Sequence, residues 1–186
     1  MCWMRGIVLP AVLLLLALWA GAVRADDGTE IDCKKTNLAF EAPGYTVKCT
    51  DYSRSSISLS ELNAASETYV LFALSESDIT FLQAYSRRVL GGTRIYLNRR
   101  SLESELETSF SFKFADWGDE ADVGAFEVKH VTVTFESGEP SDCVAFRKLG
   151  ARRYEGVAGL TAGFACSANG RDHALDALKH FATQQE

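Results

Sequence analysis

Four cysteines sit in two pairs at opposite ends of the chain, Cys33 and Cys49 near its beginning and Cys143 and Cys166 near its end, while a fifth, Cys2, lies inside an apolar leader. The leader decides their chemistry. Arg5 supplies a positive start, Ile7 through Trp19 an apolar run, and Ala20-Gly21-Ala22 or Val23-Arg24-Ala25 the small residues that a signal peptidase requires. Cleavage is expected after Ala25, dividing the chain into a removable signal, 1–25, and a single globular domain, 26–186. The apolar run is shorter than the roughly 20 residues a spanning helix needs, and Asp26 and Asp27 make a poor stop-transfer flank. No cysteine stands just after the cut, which argues against a lipid anchor.

Export would carry the remaining four thiols to an oxidising compartment, periplasmic or extracellular, where an even number of cysteines tends to pair. Three connectivities exist. The local one, Cys33–Cys49 with Cys143–Cys166, is favoured because each bridge closes a short loop at one end of the chain, worth about 3 kcal/mol on the chain-entropy model. A metal site or a reactive thiol is disfavoured, because the chain has no C-x-x-C and no histidine at ligand spacing from any of the four. Asn37, Asn63, Asn98 and Asn169 all lack the Ser or Thr two residues on that glycosylation requires, which leans toward a bacterial periplasm.

Composition adds exclusions. With 47% hydrophobic and 24% charged residues, the chain is neither disordered nor a polytopic membrane protein, and one compact, monomeric domain is expected. The formal charge is −6, and loss of Arg5 and Arg24 leaves 17 basic against 25 acidic residues. An acidic product disfavours general nucleic-acid binding.

Periodicity predicts an α+β fold, an antiparallel sheet of about six to eight strands with two helices. Strands are expected at Tyr45–Cys49, Ser56–Leu59, Thr68–Leu74, Thr93–Arg99, Thr108–Phe114, Gly124–Glu136, Asp142–Lys148 and Val157–Ser167. Residues 69–74 are apolar at every position, as in a buried central strand. A helix is predicted at about 78–90, where Phe81, Leu82, Tyr85 and Val89 recur at helical spacing, Arg87 and Arg88 fall in the last turn and Gly91-Gly92 stops it. A C-terminal helix is predicted at about 172–182, and residues 100–106 fit a short helical turn in place of strand. Within Ala125–Phe135 the apolar positions switch from even to odd, so a bulge is expected near Lys129-His130.

Catalytic signatures are absent: there is no G-x-S-x-G, H-E-x-x-H, phosphate loop, G-x-G-x-x-G or Ser-x-x-Lys. No cofactor and no metal site is implied. Gly156, Gly159 and Gly163 read as close backbone approach in a hairpin, and His173 and His180 as solvated helix residues. His130, at the expected bulge, is the one candidate acid or base, with Asp119 and Asp122 of the acidic run 116–122 as partner carboxylates for a hydrolase. That run departs from the spacing of a calcium loop.

The basic residues are concentrated despite the negative total. Arg87, Arg88, Arg94, Arg99 and Arg100 form one group, and Arg147, Lys148, Arg152 and Arg153 another, with Tyr96 between the arginines of the first. Brought together, Arg87, Arg88, Arg94, Arg99, Arg147, Arg152, Arg153 and Tyr96 would make a face for an anionic ligand or an acidic partner. Pairing with the many acids is the competing fate for these arginines. The expectation is a non-catalytic exported binding protein. Its alternatives are a hydrolase built on His130, and a structural component of the cell envelope joined through an open edge at Tyr45–Cys49.

Overall fold

The computed structural model describes residues 28–52, 66–77, 79–89, 100–153 and 156–183. The signal segment, the strands expected at 56–59 and 93–99, and Arg94, Tyr96 and Arg99 lie outside them. The described strands are β1 (Thr29–Ile31), β2 (Leu38–Phe40), β3 (Tyr45–Asp51), β4 (Ser66–Ser75), β5 (Thr80–Val89), β6 (Lys113–Ala115), β7 (Glu120–Val123), β8 (Phe126–Thr134), β9 (Pro140–Leu149), β10 (Arg152–Arg153), β11 (Gly156–Val157), β12 (Gly159–Ser167) and β13 (Phe181–Thr183). Two helices accompany them, α1 (Leu102–Ser109) and α2 (Arg171–Lys179). One antiparallel sheet of nine described strands runs β1-β3-β4-β5-β12-β9-β8-β6, with β7 also on β8, and β2 pairs with β13 in a separate ribbon. The class is α+β, as its residues imply.

Both expected disulfides are present, Cys33–Cys49 and Cys143–Cys166. The second joins residues directly opposite one another on β9 and β12, with Cα atoms 4.2 Å apart. That is the closer of the two spacings in an antiparallel ladder.

The sheet buries both faces. On one lie Cys49, Leu71, Leu82, Val128, Phe146 and Ala165, covered by α2 and by the β2–β13 ribbon through Leu38, Leu178 and Phe181. On the other lie Phe81, Tyr85, Val131, Ala145, Leu160 and Phe164, covered by α1 through Leu102 and Leu106. Gly163 belongs to the α2 face, where an added Cβ would lie 2.7 Å from the Ala84 Cα and 2.8 Å from the Phe146 ring. Close backbone approach is therefore its role.

Two-sided burial overturns the helix expected at 78–90. Residues 80–89 are strand β5, and 80 through 86 are all buried, Phe81 and Tyr85 under α1, Leu82 and Ala84 toward α2. A strand apolar on both faces contains apolar residues at helical spacings by default, so periodicity could not separate the two. The internal helix is instead α1. Ser101 caps it by accepting from the Ser104 N–H at 3.3 Å, and its end at Ser109 leaves only Lys113–Ala115 of the strand expected at 108–114. The C-terminal helix ends at Lys179, earlier than expected, and Phe181–Thr183 turn back as β13.

The same two-sidedness removes the bulge expected in β8. Its pairing with β9 runs without interruption from Glu127↔Arg147 to Thr134↔Pro140. Phe126 and Val128 simply serve the α2 face, and Val131 and Val133 the α1 face. The irregularity lies on the neighbouring edge, where Asp116 to Asp119 stand opposite only His130 and Val131, between β6 and β7. Asp116 has a left-handed φ of 51°, and the Gly118 N–H reaches the His130 carbonyl at 2.9 Å. An added Cβ on Gly118 would lie 3.0 Å from the His130 Cβ.

Candidate functional site

The α1 face carries a transverse row that crosses five strands, Glu127, Arg147, Ala162, Tyr85 and Val70. Small Ala162 leaves room between the two long neighbours. The Arg147 guanidinium bonds the Glu127 carboxylate and the Arg100 carbonyl through three of its five N–H donors, so its charge is answered within the protein. Beside them Lys129 donates to Glu103 at 2.7 Å and lies 3.7 Å from Glu120. The Lys129 hydrogen bond holds the Glu103 carboxyl down at about 2, and Glu103 in turn raises Lys129.

Next in the row, the Tyr85 hydroxyl donates to the Glu105 carboxylate and accepts from the Ser109 hydroxyl at 3.0 Å. Glu105 is only 5% exposed, on the helix turn that faces the sheet. Burial, then the adjacent Glu105 charge, pushes the Tyr85 phenol far above its ordinary value. Two residues further along β5, the Arg87 guanidinium lies 5.9 Å from the centre of the Tyr85 ring, within cation–π range. Its Nε is buried and has no hydrogen-bond partner among the described residues. Arg87 thus differs from Arg147, whose charge is answered.

The other expected binding residues divide. Arg88 follows Arg87 in the strand, so it points to the opposite face, and it is exposed. Of Arg152 and Arg153 only the backbone of β10 is described. The structure therefore brings Arg87 and Arg147 to one face and sends Arg88 to the other. Glu105, Ser109 and Glu127 were not singled out in the sequence, since nothing local marks which acid will face an arginine or a tyrosine from another element.

His130 is oriented by an acid that sequence reasoning missed. Its Nε2 contacts the Asp142 carboxylate of β9, one strand over and diagonal in register. No hydrogen bond or ion pair joins it to Asp119 or Asp122, both of which are exposed. His173 and His180 are exposed at the two ends of α2. Among the described residues no group of three or more His, Cys, Asp or Glu is arranged to hold a metal, and no helix is long and apolar enough to cross a membrane. No family model, curated protein or solved structure matches the chain. What defines it is its own architecture, a doubly covered antiparallel sheet with a disulfide at each end of the chain.

Proposed function

We propose that this chain is an exported, non-catalytic binding protein that takes an anionic ligand at Arg87. The observation that carries the reading is the buried Arg87 Nε–H without an acceptor, beside a phenol whose own oxygen is already engaged. An unanswered donor on a charged group is costly to bury, and a carboxylate or phosphate oxygen supplies what it lacks. Arg94 and Arg99 follow β5 closely in sequence and would add charge to the same ligand. Arg147 is the poorer anion ligand, because Glu127 already answers its charge and the Arg100 carbonyl takes a further donor.

Calorimetric titration with inorganic phosphate tests this. Arg87→Gln is expected to weaken binding by about tenfold or more, the range for a charge-assisted hydrogen bond, with little change in melting temperature. Replacing Arg94 and Arg99 together with alanine should also weaken it. Equal binding by wild type and Arg87→Gln would sink the proposal. The His130–Asp142 contact favours a second reading, a hydrolase with the imidazole held by Asp142. Hydrolysis of an ester substrate that survives His130→Gln unchanged removes that reading.

A further inference from the structure

The two disulfides tie unlike structures. Cys143–Cys166 crosses between β9 and β12, whose ladder is continuous from Leu160↔Leu149 to Cys166↔Cys143, and each of those strands has a further partner, β8 and β5. Cys143 is 0% and Cys166 2% exposed, within the cluster of Phe81, Val131 and Phe164. Sulfurs buried in this way react only when the centre of the sheet opens, and the ladders would keep the strands together without the bridge.

Cys33–Cys49 instead ties an arm to an edge. No residue from Gly28 to Lys35 is buried, and β1 contributes only the pairs Thr29↔Asp51, Glu30↔Thr50 and Ile31↔Cys49, on the outer side of β3. The turn Cys33–Lys35 is closed by bonds within itself, the Lys34 N–H to the Asp32 carboxylate at 3.0 Å, the Lys35 N–H to the Asp32 carbonyl at 2.9 Å and the Thr36 N–H to the Cys33 carbonyl at 3.0 Å. Burial begins at Thr36 and Leu38, and from there β13 holds the chain through β2. Ordering the arm costs backbone entropy that a short edge ladder does little to offset, so the bridge is what fixes it.

We infer that Cys33–Cys49 is a redox latch, which a dithiol reductant opens while Cys143–Cys166 stays closed, releasing residues 28–35 and leaving β3 as the outer strand of the sheet. Cys33 is the partly exposed sulfur of the pair, whereas Cys49 is 0% exposed. A thiolate of the reductant attacks the Cys33 Sγ, the bond to Cys49 breaks, and Cys49 leaves as a thiolate that takes up a proton. The second thiol of the reductant then displaces Cys33, giving two cysteine thiols and one oxidised reductant. The Tyr52 N–H bonds the Thr68 carbonyl at 2.8 Å, in register with β3–β4, so Cys49 and Asp51 turn their backbone groups toward β1. Release of the arm uncovers those groups.

The test treats the intact, native protein with dithiothreitol, traps thiols with iodoacetamide and maps the labelled peptides. Cys33 and Cys49 are expected to label at least about tenfold faster than Cys143 and Cys166. Opening the first bridge should speed hydrogen exchange at the Cys49 and Asp51 amides by about tenfold or more, with Ala145 and Phe164 unchanged. The double variant Cys33→Ala with Cys49→Ala should show the same fast exchange without reductant and still melt cooperatively. Equal labelling of the two bridges, earlier labelling of Cys143 and Cys166, unchanged exchange at Cys49 and Asp51 once the bridge is open, or loss of cooperative melting in the double variant would each overturn the latch.

Discussion

The two faces of the sheet solve burial differently. Under α2 the centre is largely apolar, with Phe126, Phe146 and Phe181 in mutual ring contact, and the buried polar groups of its strands are hydroxyls, Thr80 with Ser167 at the strand ends and Ser86 opposite Thr161 further along. Under α1 an equally aromatic cluster around Phe164 shares its space with Tyr85, Glu105 and Gln83, all buried. A dry face loses stability through cavities. A face that buries a phenol and a carboxylate also loses it through unanswered hydrogen bonds.

Phe146→Ala should show the largest effect, about 3–5 kcal/mol in urea denaturation, because the fully buried ring has neighbours on every side and cannot be replaced by relaxation. A loss near 1 kcal/mol would mean that the α2 face is looser than its packing indicates. Tyr85→Phe should cost less, about 1–3 kcal/mol, since it removes only a hydroxyl but leaves the Glu105 carboxylate without its donor. The double variant Tyr85→Phe with Glu105→Leu should recover part of that loss. If it does not, the contrast between the faces is one of packing alone.

The smallest expected effect concerns pH. Glu103 has its pKa depressed by Lys129, so the unfolded chain binds its proton more readily than the folded one. This contribution is fully present above the ordinary carboxylate value of 4.5 and is lost as pH falls toward about 2. With both side chains partly exposed, it amounts to at most about 1 kcal/mol, and Glu103→Gln should flatten that part of the acid-denaturation curve. The Phe146→Ala deficit should show no such dependence.

Local features were legible where one element decided them. The disulfide pairing followed from loop closure, and α2 largely from its apolar stripe, although the turn at His180 cut it short. Strand β5 was misread because Phe81, Leu82 and Tyr85 satisfy a helical period and a doubly buried strand alike. The switch of apolar parity at Lys129-His130 implies a bulge only where one face of the strand is buried, whereas β8 is covered on both. The candidate site was legible only in part. Arg87 and Arg147 stood out as charges, but which of them is neutralised depends on Glu127 and the Arg100 carbonyl, distant in sequence from each.

Residue order by itself determined the class of fold and the two covalent ties, because strand-forming segments, turn residues and cysteine spacing act over short stretches of chain. Which face each strand residue serves, and which arginine is left unanswered, was decided only by tertiary structure. The reason is that burial on a second face and the pairing of charges are properties of neighbours brought together by the sheet, and a single strand carries no record of what will cover it.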